Sequence, residues 1–162
     1  MSQSSAQPFD ICVEGGRATK KTRVTSTSIV STHRLKPGVI LLKWFIAPKD
    51  QVEVVRTCRR LGIGPGGFYQ PSFRNGPKMR LWMMCLGKNW DPRSCLYGST
   101  RPIDGAQAPA IPREFTHIVQ AVISAATEVP QITPDICIVN FYDSTGRLGL
   151  HQDKDESKTS IN

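Results

Sequence analysis

Pro134-Asp-Ile-Cys-Ile-Val-Asn-Phe-Tyr-Asp-Ser-Thr-Gly-Arg-Leu-Gly-Leu-His-Gln-Asp-Lys-Asp-Glu156 is the stretch whose reading decides the fold. Its first half is rich in β-branched and aromatic residues: Ile136, Ile138, Val139, Phe141 and Tyr142. Such residues fit a pleated, half-buried surface. Side chains on a strand alternate between faces. Ile136, Ile138, Asn140 and Tyr142 therefore share one face, and Cys137, Val139 and Phe141 the other. Asp143-Ser144-Thr145-Gly146 is a turn signal. A second extended run is expected from Arg147, with His151, Asp153 and Asp155 on one face. Leu148 and Leu150 are expected to point the other way, into a core.

Residues i and i+2 on a strand lie roughly 6.6–6.8 Å apart, so the side chains of His151 and Asp153 can converge on one ion. Imidazole plus carboxylate suits Fe(II), whose facial triad of two His and one carboxylate leaves positions open for dioxygen and a co-substrate. A bare His-x-Asp is more often a surface polar pair than a metal site, so the surrounding strand and turn carry the reading. The other histidines are His33, in a polar N-terminal region, and His117, off the strongly apolar positions of a helical pattern. Neither fits as the third ligand.

Asn-x-Tyr, a short turn, then Leu-x-Leu-His-Gln-Asp-Lys-Asp-Glu resembles the AlkB family of Fe(II)/2-oxoglutarate-dependent dioxygenases. Other segments resemble that family in the same order: the opening strand from Lys36 to Phe45, the turn Gly64-Pro65-Gly66-Gly67-Phe68, and the lid strand from Met83 to Trp90. Tyr97, Ile111-Pro112 and Phe115 also match, so the resemblance runs from about Leu35 to Glu156. It implies an α+β fold, the N-terminal part of a double-stranded β-helix (jelly roll) with flanking helices and a nucleotide-recognition lid. It implies Fe(II) on His151 and Asp153, the catalytic pair, and 2-oxoglutarate on Asn140 and Tyr142. Methylated DNA or RNA would be the substrate, contacted by Trp90, Tyr97 and Asp155. The implied reaction hydroxylates an N-methyl group, which leaves as formaldehyde. Cys95 stands where the family has an aromatic. The family's distal His and its pair of Arg, which would hold the co-substrate carboxylate, have no counterpart up to Asn162. The domain is therefore expected to be 35–162 and C-terminally incomplete, behind a flexible tail at 1–34. A non-catalytic nucleic-acid-binding fragment is the alternative.

At 162 residues one domain is expected. No apolar run approaches the roughly 20 residues that span a bilayer, and the opening residues lack a signal peptide's charged and apolar regions. An odd cysteine count of 5, with no C-x-x-C pair, favours reduced thiols. Cys58, Cys85 and Cys137 fall in apolar patterns and read as core. A monomer in the nucleus or cytoplasm is expected, with no membrane contact. The net charge is +8 and unevenly spread. Residues 49–101 hold ten basic and three acidic groups, and residues 102–162 four basic and eight acidic. A basic middle suits a phosphate backbone, and an acidic end suits a cation.

Elsewhere the pattern predicts a strand over 37–46, a helix from Pro48 to Leu61 stopped by Gly62, a loop over 64–77, and a strand over 79–86. From Pro112 to Thr127, Phe115, Ile118, Val119, Val122, Ile123 and Ala126 recur at helical spacing and face a core. Residues 68–101 interleave aromatics with cations, including Lys78, Arg80, Trp82, Lys88, Trp90 and Arg101. Cations neutralise phosphates while aromatics stack on an unpaired base. Trp82 reads as core, and Trp90 as a loop residue.

Overall fold

A computed structural model describes residues 30–72, 76–91 and 94–150. Six strands and two helices run in the order β1 (Ser31–Lys36), β2 (Val39–Lys43), α1 (Pro48–Gly62), β3 (Leu81–Leu86), β4 (Asn89–Asp91), β5 (Leu96–Gly98), α2 (Arg113–Ala125) and β6 (Cys137–Tyr142). All pairing among them is antiparallel: β1 with β2, β3 with β6, β4 with β5. The architecture is α+β. β1 begins within the stretch read as tail, and its register slips between Arg34 and Lys36.

β3 is the spine. Met84, Cys85 and Leu86 are fully buried, and Met83 nearly so. β6 covers one edge of it in full register, from Leu81 opposite Tyr142 to Leu86 opposite Cys137. Tyr69 pairs with Met83 in a further antiparallel bridge, so β3 has hydrogen-bonded neighbours on both sides. The expected alternation in β6 holds from Cys137 to Phe141 and breaks at Tyr142, which is half-buried. Cys137, Val139 and Phe141 are half-buried, whereas Ile138 and Asn140 are exposed. Phe141 meets the Phe68 ring edge-on at 4.9 Å between centroids, a favoured aromatic geometry.

Pro48 opens α1 at its first turn, where its missing N–H leaves no gap. Arg59 and Arg60 close it against the helix dipole. Gly62 does not stop the helix as expected but is its last residue. A Cβ there would lie 2.1 Å from the Phe68 ring, so this glycine serves the close approach of Phe68. α2 is capped by an extended Pro112 and presents Ile123 and, just beyond its end, Ala126 to the core. Thr57 on α1 donates to Glu114 on α2 at 3.2 Å, joining the two helices.

A further expectation fails. Residues 147–150 form no strand, and Leu148 and Leu150 are exposed rather than packed in a core. The chain after β6 turns at Asp143, whose carboxylate accepts from the Thr145 N–H, the Thr145 hydroxyl and the Gly146 N–H, each at 2.7 Å. No described element covers the two leucines, so burial supplies no force to extend the segment.

Candidate active site

β6 carries Asn140 and Tyr142 on one face, two residues apart. Asn140 is exposed and Tyr142 half-buried. An amide and a phenol side by side suit a carboxylate, since both donate hydrogen bonds. His151, Asp153 and Asp155 lie outside the described residues. Among the described residues no group of three His, Cys, Asp or Glu could hold a metal. His33 is exposed on β1 beside Ser31, and His117 is exposed on α2 beside Arg113. Neither belongs to such a group among the described residues. The donor chemistry of His151 and Asp153 fits a divalent iron, and that of Asn140 and Tyr142 fits a dicarboxylate.

β3 passes through a tight turn at Gly87 (φ 80°) straight into β4. A Cβ on Gly87 would lie 2.3 Å from the Asp135 carbonyl, so only glycine fits. β4 and β5 form a small hairpin in which Trp90 stands directly opposite Tyr97. Their ring centroids are 4.8 Å apart, tilted by 49°. The two lid residues expected from sequence are thus one cross-strand aromatic pair. Trp90 lies on a strand, not on the loop expected for it. The turn of the hairpin is held by Asp91, which accepts from the Ser94 hydroxyl at 2.7 Å. Cys95 is exposed there at a positive φ of 56°.

The cations of the basic middle divide by function. Lys78 and Arg80 are exposed. Together with Arg147 they line a cleft that includes Tyr142. Lys88 instead pairs with Asp135, and the hydrogen bond from Lys88 holds the Asp135 carboxyl below its ordinary value. Arg101 is 5% exposed and cannot meet a phosphate as its place in the basic stretch implied. Its guanidinium forms a bidentate pair with Asp104 at 2.9 and 2.7 Å and donates to the Gly67 carbonyl at 2.7 Å. It also lies 4.3 Å over the centre of the Tyr69 ring. Burial pushes the Tyr69 phenol up to about 12, against a downward pull from Arg101. Tyr69 and Arg101 line a cavity together with Pro71, Ser72, Trp90 and Asp91. Sequence reasoning counted Arg101 among the cations available to phosphate and missed its buried, ion-paired role. The Arg-Pro-Ile-Asp-Gly turn at 101–105 was its one local signal.

Comparison with known proteins shows the family. Residues 38–161 match the 2OG-Fe(II) oxygenase superfamily. The chain is 46% identical over 186 aligned residues to the DNA N(6)-methyladenine demethylase ALKBH1C of Arabidopsis thaliana, covering 98% of this chain and 40% of that protein. It is 37% identical over 71 residues to the alpha-ketoglutarate-dependent dioxygenase AlkB of Escherichia coli, covering 44% of this chain and 32% of that one. The solved structure of OsALKBH1 superposes with a TM-score of 0.72 at 53% identity, covering 79% of this chain and 63% of that one. The chain therefore spans about two-fifths of the length of the Arabidopsis relative. The matched residues include β6, the β4–β5 hairpin and the His-Gln-Asp run, and this chain is a member of the 2OG-Fe(II) oxygenase superfamily with the jelly-roll fold of its AlkB-like relatives.

Proposed function

We propose that this chain takes part in removing N-linked methyl groups from DNA bases, N6-methyladenine among them, by Fe(II)- and 2-oxoglutarate-dependent oxidation. The observation that carries this reading is the continuity of β3. One strand pairs along its length with β6, the carrier of Asn140 and Tyr142, and runs through Gly87 into the Trp90–Tyr97 hairpin. The co-substrate strand and the base-stacking lid are therefore spaced by a single buried element. The substrate assignment draws on the Arabidopsis relative, whose name states that it demethylates DNA N(6)-methyladenine.

His151 and Asp153 hold the metal, which when bound supplies the oxidation of the methyl group by dioxygen. The Asn140 amide and Tyr142 hydroxyl donate to a carboxylate of 2-oxoglutarate and fix its orientation. Trp90 and Tyr97 stack on the base held out of its helix, and Asp155 accepts from its exocyclic edge. One oxygen atom of dioxygen ends on the methyl carbon and the other in succinate, with carbon dioxide released. The resulting N–CH2OH group breaks its C–N bond to give formaldehyde and the bare amine. The protein acts as a monomer in the nucleus or cytoplasm. Among the described residues no helix is long and apolar enough to cross a membrane.

The test is formaldehyde and succinate release from an oligonucleotide carrying one N6-methyladenine, measured with the complete protein. Equimolar release that disappears in His151→Ala is expected. No release, or release that survives that substitution, overturns the reading.

A further inference from the structure

Trp90 shares its cavity with a second aromatic residue. Tyr69 lines the same space. Its backbone is fixed to β3 by two hydrogen bonds to Met83, at 2.9 and 2.8 Å. Its ring is fixed by Arg101, whose guanidinium lies over it. Arg101 in turn is held by groups from two separate segments: the Gly67 carbonyl, 34 residues earlier, and the Asp104 carboxylate in the chain leaving the lid. Asp104 also accepts from the Ala106 N–H at 3.1 Å. Nearby, Asn89 at the start of β4 donates to the Ser99 and Ala106 carbonyls at 3.3 and 3.4 Å. One buried guanidinium thus joins the 62–69 turn to the base of the lid and clamps the Tyr69 ring.

A flat base is recognised by stacking surfaces whose separation is set to a fraction of an ångström. Free tyrosines on loops do not supply that. A bidentate arginine–carboxylate pair does, because its geometry is planar and forked, and a lysine cannot reproduce the fork. We propose that Tyr69 is a specificity-determining wall of the base pocket that Trp90 lines, and that Arg101 is the positioning residue that holds this wall in place. The proposal rests on the demethylase reading above for the identity of the base.

The experiment measures binding of the complete protein to two labelled single strands of the same sequence. One carries N6-methyladenine at the central position and the other an abasic site there. Tyr69→Leu is expected to weaken binding of the methylated strand by about tenfold and to leave the abasic strand within about twofold. Tyr69→Phe, which keeps the ring, should bind both as the wild type does. Arg101→Lys should follow Tyr69→Leu. Its Asp104 partner is 45% exposed, so the substitution strands no buried carboxylate. A merely structural role would weaken both strands equally, and that result for Tyr69→Leu overturns the proposal, as does unchanged binding of the methylated strand. If Arg101→Lys alone weakens both strands equally, its positioning role is overturned and the Tyr69 pair still decides the wall. A wild type that prefers the methylated strand but releases no formaldehyde overturns the demethylase reading and not the pocket.

Discussion

Cys58, Cys85 and Cys137 show how burial decides the chemistry of a residue. Burial is the first cause raising each thiol above its ordinary value of 9.0. Neighbouring thiols add to the rise at Cys58 and Cys137. A thiol without thiolate is a poor nucleophile. Cys95 is exposed at the tip of the lid. Brief alkylation of the native chain followed by mass spectrometry should therefore find Cys95 modified and Cys58, Cys85 and Cys137 intact. Modification of Cys85 under native conditions would contradict the packing of β3. Asp104 gives a second prediction. The hydrogen bonds from Arg101 hold its carboxyl below the ordinary value of 3.8. A carboxylate depressed in the folded state stabilises fully above its unfolded pKa, and loses that contribution as pH falls through the folded one. Asp104→Asn should therefore lower Tm at neutral pH and flatten its fall below about pH 4, in melts recorded from about pH 7 down to about pH 2. An unchanged acid limb would show that the pair contributes nothing. The pair's Arg101 side is buried and its Asp104 side half-exposed, so the effect is smaller than for a fully buried pair.

At the scale of elements, β3 is where stability and site geometry meet. Met84 has no exposed surface, and Met84→Ala should cost about 2–5 kcal/mol, read by denaturant titration. Gly87 connects that strand to the lid. Gly87→Ala would force a left-handed backbone on an L-residue and drive its Cβ toward the Asp135 carbonyl. The expected cost is at least about 1–3 kcal/mol, with a loss of affinity for the methylated strand, because Trp90 moves with the turn. Stability retained with affinity lost would place the effect in the hinge alone. Helix ends were less legible than helix bodies. The apolar stripe of α2 was plain from its spacing, while the role of Gly62 depended on where Phe68 came to rest.

Over the whole molecule, charge separates into structural and available groups. Arg101 and Lys88 are engaged in ion pairs, whereas Lys78, Arg80 and Arg147 border one cleft beside Tyr142. Arg80 acts on Asp143 there, a minor part of the fall in that carboxyl, which the Thr145 hydroxyl dominates. A phosphate backbone lying in this cleft would release counterions. Lys78→Gln and Arg147→Gln should each weaken oligonucleotide binding for every sequence and reduce the slope of log K against log salt by about 1. Arg101→Lys should leave that slope unchanged. A slope insensitive to Lys78 and Arg147 would move the backbone elsewhere. Val39, Leu41, Trp44, Leu148 and Leu150 remain exposed, uncovered by any described element.

Local periodicity was enough to read β6 and α2, because burial imposes a two-residue or 3.6-residue rhythm on the chain itself, whereas Val52 and Val55, the apolar side on which α1 was read, are exposed. The resemblance carried by Asn-x-Tyr and the His-Gln-Asp run was enough to name the family. Periodicity did not foresee that 147–150 would form no strand, with no covering element among the described residues. Nor could it foresee that Trp90 would stand opposite Tyr97, or that Arg101 would leave the charged surface to clamp Tyr69. The last depends on contact between segments far apart in sequence, Arg101 with Gly67. Register is decided by which surfaces pack when the chain closes on itself, and no single segment carries that information.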